Sequence, residues 1–165
     1  MSARLIDTIG FLVEDLDAAI EQWSQALGYT FTPIARYRTS AYIDSSDHQP
    51  HTHDARIAFS LEGKPFIELM EFTGEGTHSR HQGEGFHHIS FVRHPDVQAR
   101  MRELAQLGVG DDGKVLNDDG EVILWFTDPA ELNGVRLEYV SGGPHPIVAE
   151  DGAPLDVQQW RSPGT

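Results

Sequence analysis

The sequence predicts an α+β fold made of two tandem βαβββ modules, and three observations predict it. Displaced by 80 residues, the stretch Ile6–Gly28 lies over Phe86–Gly108 without a gap, so that Ile9 meets Ile89, Phe11 meets Phe91, Ala19 meets Ala99 and Gly28 meets Gly108. Each copy reads as a strand, a turn and an amphipathic helix ended by glycine. At the smaller offset of 70, Ile67-Glu68-Leu69 lies over Leu137-Glu138-Tyr139, as expected if the copies differ in loop length.

The first helix carries Leu16, Ala19, Ile20, Trp23 and Leu27 on one stripe, the i, i+3, i+4, i+7 spacing of a helix with one buried face. Asp15 is placed to cap it, and Gly28 supplies the left-handed residue that ends it. The second begins at Pro95-Asp96, carries Val97, Met101, Leu104 and Leu107, and stops at Gly108. Strand-like segments follow each helix: Ala35–Ile43, Arg56–Leu61 and Phe66–Phe72 after the first, Glu121–Thr127 and Val135–Val140 after the second. Asp111-Asp112-Gly113 reads as a polar stretch, and Asp128–Gly134 as a turn-rich connection. The organisation expected is a first module over 1–72, a linker over 73–85, a second module over 86–141 and an irregular tail over 142–165, docking through Trp160.

Composition narrows the function. There are 26 acidic and 12 basic residues among 165, for a formal net charge of −14. Such a surface repels phosphate backbones and anionic lipid, so no nucleic-acid or membrane partner is expected. The chain has no cysteine, which removes disulfides, thiolate metal sites and a Cys nucleophile. No apolar run approaches the roughly 18–20 residues of a membrane helix, and the N-terminal residues lack a signal-peptide layout. A soluble, cytoplasmic protein acting on a small-molecule substrate is the expectation.

Two glutamates stand out because they recur. Glu68 lies in Pro-Phe-Ile-Glu-Leu-Met and Glu138 in Val-Arg-Leu-Glu-Tyr-Val. A carboxylate among apolar strand residues needs a cation, a hydrogen-bond network or exposure, and strand alternation alone would supply exposure. His87 and His88 open the second copy, and alternation sends only one of them inward. One imidazole and two carboxylates meeting on a concave sheet would suit a divalent metal. The histidine-rich stretch Asp47–Asp54 reads as a solvated loop, with His51 and His53 as alternative ligands or bases; His78 and His81 in the linker are weaker candidates of the same kind.

These residues resemble the vicinal oxygen chelate superfamily, which holds glyoxalase I, methylmalonyl-CoA epimerase, extradiol dioxygenases and bleomycin- or fosfomycin-resistance proteins. The resemblance covers about residues 5–141 and rests on Ile6–Phe11 with Val13–Ala19, Phe66–Glu71, Gly85–Phe91, and Asp128-Pro129 followed by Asn133–Glu138. It is most similar in spacing to methylmalonyl-CoA epimerase. It implies a U-shaped, partly open barrel-like sheet with helices outside, and a divalent metal (Mn, Fe, Co, Ni, Mg or Zn) held by a residue from the first and last strand of each module. Carried over, the ligands are Glu68, His88 and Glu138. The fourth position departs from the pattern, because Asp7-Thr8-Ile9-Gly10 places Thr8 where the family has histidine. Three outcomes stay open: a triad completed by water and favouring Mn, Fe or Mg over Zn, a histidine from elsewhere, or loss of the metal.

The leading reading implied is a metal-dependent isomerase, epimerase or lyase that stabilises an enolate on a small carbonyl or thioester substrate. Glu68, His51 or His53 would be the base, and Thr8 and Trp125 would contact substrate. Arg36, Arg38, Arg56 and Arg136 are available to a thioester's phosphates. The alternative is a metal-free binding or resistance protein that sequesters a hydrophobic natural product with Trp23, Trp125 or Tyr42. An extradiol-type dioxygenase comes third, since its usual triad needs a second histidine at position 8. Modules of this kind meet within one chain or across a homodimer interface.

Overall fold

The computed structural model describes residues 3–155; the expected docking of Trp160 lies outside them. The element order is β1 (Thr8–Val13), α1 (Leu16–Leu27), β2 (Ala35–Asp44), β3 (Asp47–Phe59), β4 (Phe66–Glu71), β5 (Gly85–His94), α2 (Val97–Ala105), β6 (Asp111–Leu116), β7 (Val122–Thr127), β8 (Leu137–Ser141) and β9 (Ile147–Ala149). The helices start as their sequences require: Asp15 accepts a hydrogen bond from the Ala18 amide and Asp96 one from the Ala99 amide, each satisfying a first-turn donor. Gly28, at φ 72°, ends α1.

The strands form one mixed sheet in the order β3-β4-β1-β5-β8-β7-β6-β2-β9, and β2 also pairs with β3, which closes the first eight into a ring. At the seam β1 runs antiparallel to β5. Each of these two first strands has a later strand parallel beside it, β4 beside β1 and β8 beside β5. The ring departs from the partly open sheet expected, and β2 is the reason. One edge of it pairs with β9 at Ala35–Tyr37 and with β6 at Tyr42–Asp44, while its other edge pairs with β3.

Alternation sorts the core into an inside and an outside. Leu12, Ala35, Ala55, Ile57, Phe59 and Met70 pack together within the ring, as do Tyr42, Val115, Leu124 and Phe126. Outside, Leu16 and Ala19 of α1 cover Ala58 and Leu69, while Val97 and Leu104 of α2 cover Trp125 and Tyr139. No described helix is long and apolar enough to cross a membrane.

Three segments depart from their expected character. The histidine-rich stretch is no loop but the first half of β3, paired with β2. Its polarity conceals a period-two pattern that continues through the buried Ala55, Ile57 and Phe59. The 73–85 linker turns twice as short 3₁₀ segments and buries Thr77, His78 and Ser79. The tail is not irregular throughout, since Ile147–Ala149 adds a strand to β2.

Candidate metal centre

Backbone register brings the three expected ligands to one place. Gly10 of β1 sits between Glu68 of β4 and His88 of β5, partnered with both, and Glu138 of β8 is partnered with Ser90, two residues beyond His88. The His88 ring lies across Gly10, where any Cβ would run into it. His88 Nε2 stands 3.4 Å from Glu68 Oε2 and 3.3 Å from Glu138 Oε2. One candidate ligand atom from each residue lies within 4.8 Å of the others, and all three residues are buried.

The chemistry of this set fits a divalent cation. His88 is fully buried, yet its Nε2 has no hydrogen-bond partner of acceptable geometry although two carboxylates flank it. Buried polar atoms are rarely left so, and two carboxylates beside an imidazole nitrogen suit a divalent metal ion. Without a cation, a proton takes the role. Burial pushes the His88 pKa down, but Glu138 and Glu68 outweigh it and hold the group at about 9.

The two carboxylates, Glu68 and Glu138, form part of the wall of a cavity of about 280 Å³, the size of a small organic molecule. Ile57, Phe59, Leu124 and Val140 supply apolar wall, and the segment Ser141–Ile147 with Leu155 covers one side. Tyr37 and His145 also line it, their Oη and Nδ1 3.4 Å apart. Burial raises the Tyr37 pKa well above its ordinary value, and the charges of Glu138, Tyr42 and Glu68 add to the rise. Ser90 lines the same cavity with its Oγ buried and unpartnered.

A row of imidazoles adjoins the triad through His87, whose ring contacts that of His88. His53 stacks on Tyr42 with centroids 4.3 Å apart, His78 lies 4.8 Å from His53, and His87 lies 4.8 Å from His78. Burial pushes all three below the ordinary histidine range, His53 to about 4. They are neutral groups rather than charges, with His78 and His87 packed against Phe126 and bonded to Thr77.

The other expected site residues fall in different places. His53 lines a small void of about 30 Å³ shared with Glu68 and Glu138. His51 lies further along β3, with Nδ1 2.9 Å from the Gln49 carbonyl and Nε2 3.6 Å from Asp44, and lines neither space. The Thr8 hydroxyl donates to Asp7 Oδ1 at 2.8 Å, and Thr8 is not among the residues lining the cavity. Trp125 faces the other way. Strand alternation turns it outward against Val97 and Leu104 near α2, where its Nε1 donates to Asp111, so it does not reach a substrate in the cavity.

Sequence reasoning missed His87 as an interior group. A β-bulge leaves His87 as the extra residue between the pairs Gly10–His88 and Phe11–Phe86, and both histidines are buried. Ser90 was legible in principle, because the repeat matches it to Gly10 and only one of the pair carries a hydroxyl. Nothing in the local sequence around His145 announces its place on the cavity wall.

Residues 7–143 match the model of the Glyoxalase/Bleomycin resistance protein/Dioxygenase superfamily, and the chain belongs to that superfamily. Similar solved structures share the fold. Hypothetical protein BH1468 from Bacillus halodurans C-125 aligns at 21% identity over 87% of this chain and 98% of its own, with a TM-score of 0.61. A variant of Streptomyces coelicolor methylmalonyl-CoA epimerase in complex with 2-nitronate-propionyl-CoA aligns at 22% identity over 86% and 100%, TM-score 0.58. Methylmalonyl-CoA epimerase from Mycobacterium tuberculosis aligns at 22% over 87% and 93%, TM-score 0.57. No curated protein matches the chain significantly.

Proposed function

We propose that this chain is a divalent-metal-dependent isomerase, epimerase or lyase that ionises a C–H bond beside the carbonyl of a small substrate. One observation carries the reading: Glu68, His88 and Glu138 converge within 4.8 Å, and the two carboxylates line a largely apolar cavity. The two-module reading, 1–72 and 86–141, belongs to the same proposal, with each half contributing a carboxylate. The epimerases of like fold support the reaction class. A bound metal would stabilise the oxyanion of the enolate.

The chain's own residues supply the rest. Glu68, Glu138 and His88 would hold the cation, and Glu68 would take the proton from carbon. The apolar wall excludes water, which strengthens every charge interaction inside. Ser90 Oγ offers the substrate a hydrogen-bond donor. His53, a weak base at about 4, and His51, outside the cavity, are poorer bases than Glu68. The four arginines suited to a thioester's phosphates are all engaged: Arg36 and Arg38 with Asp54, Arg56 with Asp17, Glu71 and Glu150, and Arg136 with Asp112. That weights the proposal toward a small carbonyl compound over a coenzyme A thioester.

The test is elemental analysis of untagged protein together with solvent-deuterium exchange into a panel of 2-oxo compounds and methylmalonyl-CoA. Stoichiometric metal that disappears in Glu138→Ala, with metal-dependent exchange into one of the panel, is the expected result. Protein that is metal-free, takes up no added Mn²⁺ and binds aromatic ligands tightly overturns it in favour of a binding protein.

A further inference from the structure

We infer that His87 is a positioning residue that selects the metal-binding tautomer of His88. The inference rests on the metal-dependent reading above and concerns a side chain that the proposed reaction never touches. Its basis is the direction of two hydrogen bonds. His87 Nε2 lies 2.7 Å from the Thr77 carbonyl oxygen; a carbonyl only accepts, so Nε2 carries a hydrogen. His87 Nδ1 lies 2.9 Å from His88 Nδ1, and a single hydrogen serves both. Were it on His87, that ring would be a cation, buried where the Arg136 guanidinium already donates to the His87 carbonyl at 3.1 Å. The hydrogen therefore belongs to His88.

His88 thus donates from Nδ1, and its Nε2 is turned to the gap between Glu68 and Glu138. A lone pair aimed at two carboxylates is repulsive until a cation stands between them, which is the arrangement of a metal ligand. Histidine ligands generally donate their second nitrogen's hydrogen to a carboxylate or carbonyl, which fixes ring and tautomer. An imidazole acceptor has a chemical reason here. The site already holds two negative charges, a divalent ion balances them, and a third carboxylate would overcharge it.

The bulge in β5 is the device that makes this contact, since regular alternation would send His87 to the outer face. Its anchor is also built in. The Thr77 amide donates to Asp44 Oδ2 at 3.1 Å, and the Thr77 hydroxyl bonds Tyr42 Oη and, at 2.9 Å, His78 Nδ1. The stretch between the two halves of the chain thereby fixes the carbonyl that sets His87.

Mn²⁺ titration of metal-stripped protein tests the inference on wild type, His87→Leu and His87→Gln, with circular dichroism to verify folding. Leucine removes the acceptor, whereas glutamine keeps one acceptor and one donor. We expect His87→Leu to weaken Mn²⁺ binding about 10–100-fold and His87→Gln to recover most of the loss. Ring ¹⁵N shifts of Zn²⁺-loaded wild type should show His88 protonated at Nδ1 and metallated at Nε2. Wild-type affinity in folded His87→Leu, or a hydrogen on His88 Nε2 in the loaded protein, overturns the inference alone. Failure of wild type to bind Mn²⁺ or Zn²⁺ overturns the metal reading and this one with it. Should His87→Leu not fold, the wild-type spectrum and the glutamine variant still decide.

Discussion

The strands β1 and β5 meet along the seam as near copies, yet they treat the same position in opposite ways. In β5, His88 is fully buried, held by His87 behind it and facing two carboxylates. In β1, Thr8 is equally buried, but its hydroxyl turns to its neighbour Asp7, whose carboxylate pairs with Lys64 at 3.0 Å. The residues two further on are reversed as well: Gly10 leaves room for the His88 ring, while Ser90 brings a hydroxyl with no partner. Two strands that the 80-residue offset matches thus carry different side chains at equivalent positions. Strand β5 supplies the imidazole, and β1 supplies the space it occupies.

Gly10→Val should break that complementarity most severely. A branched side chain in the space of the His88 ring costs about 1–3 kcal/mol as overpacking alone, and the displaced ring should abolish Mn²⁺ binding. Thermal melts and metal titration check it; unchanged binding would mean the ring does not need that space.

Acidity gives the next effect. In the metal-free protein His88 sits at about 9, above its ordinary 6.5, so its stabilisation is complete below pH 6.5 and is lost as pH rises through 9. His53, at about 4 against 6.5, acts in the other sense, and its contribution falls away as pH drops from 6.5 through 4. Melting temperatures of metal-stripped protein should therefore be higher near pH 6.5 than at pH 4.5 or 9. Saturating Mn²⁺ should flatten the alkaline side, because the cation replaces the proton. A metal-free melting curve that climbs steadily toward pH 9 would refute the assignment to His88.

Smaller changes sharpen the comparison. Thr8→His should raise metal affinity and shift preference from Mg²⁺ toward Zn²⁺, as read by competition titration; no change would place position 8 outside the coordination sphere. Ser90→Ala should leave stability within about 1 kcal/mol, since the hydroxyl it removes is unpartnered. It should weaken binding of oxalate, a small metal-chelating dianion, to Mn²⁺-loaded protein several-fold, measured by calorimetry. Equal oxalate affinity would show that the hydroxyl does not face the bound ligand.

Much of this is legible in the sequence. The helix limits follow from Asp15, Gly28 and Asp96, residues whose capping role depends only on near neighbours. Glu68 and Glu138 were legible because repetition singles out what one copy alone would leave ambiguous. His51 and His53 misled, because the polar first half of β3 looks locally like a solvated loop. Trp125 misled because size does not say which face of a strand a ring occupies.

The sequence by itself determined the two repeated helices, the strands beside them and the recurring pair Glu68 and Glu138, since periodicity, capping and repetition are local properties of the chain, whereas the choice of His88 over His87 came from the family resemblance. Only the tertiary structure decided that the sheet closes as a ring, that a bulge turns His87 inward beside His88, and that the His88 ring rests on Gly10. Register shifts and cross-strand contacts depend on residues far apart in the chain, and their geometry exists only after folding has paired them.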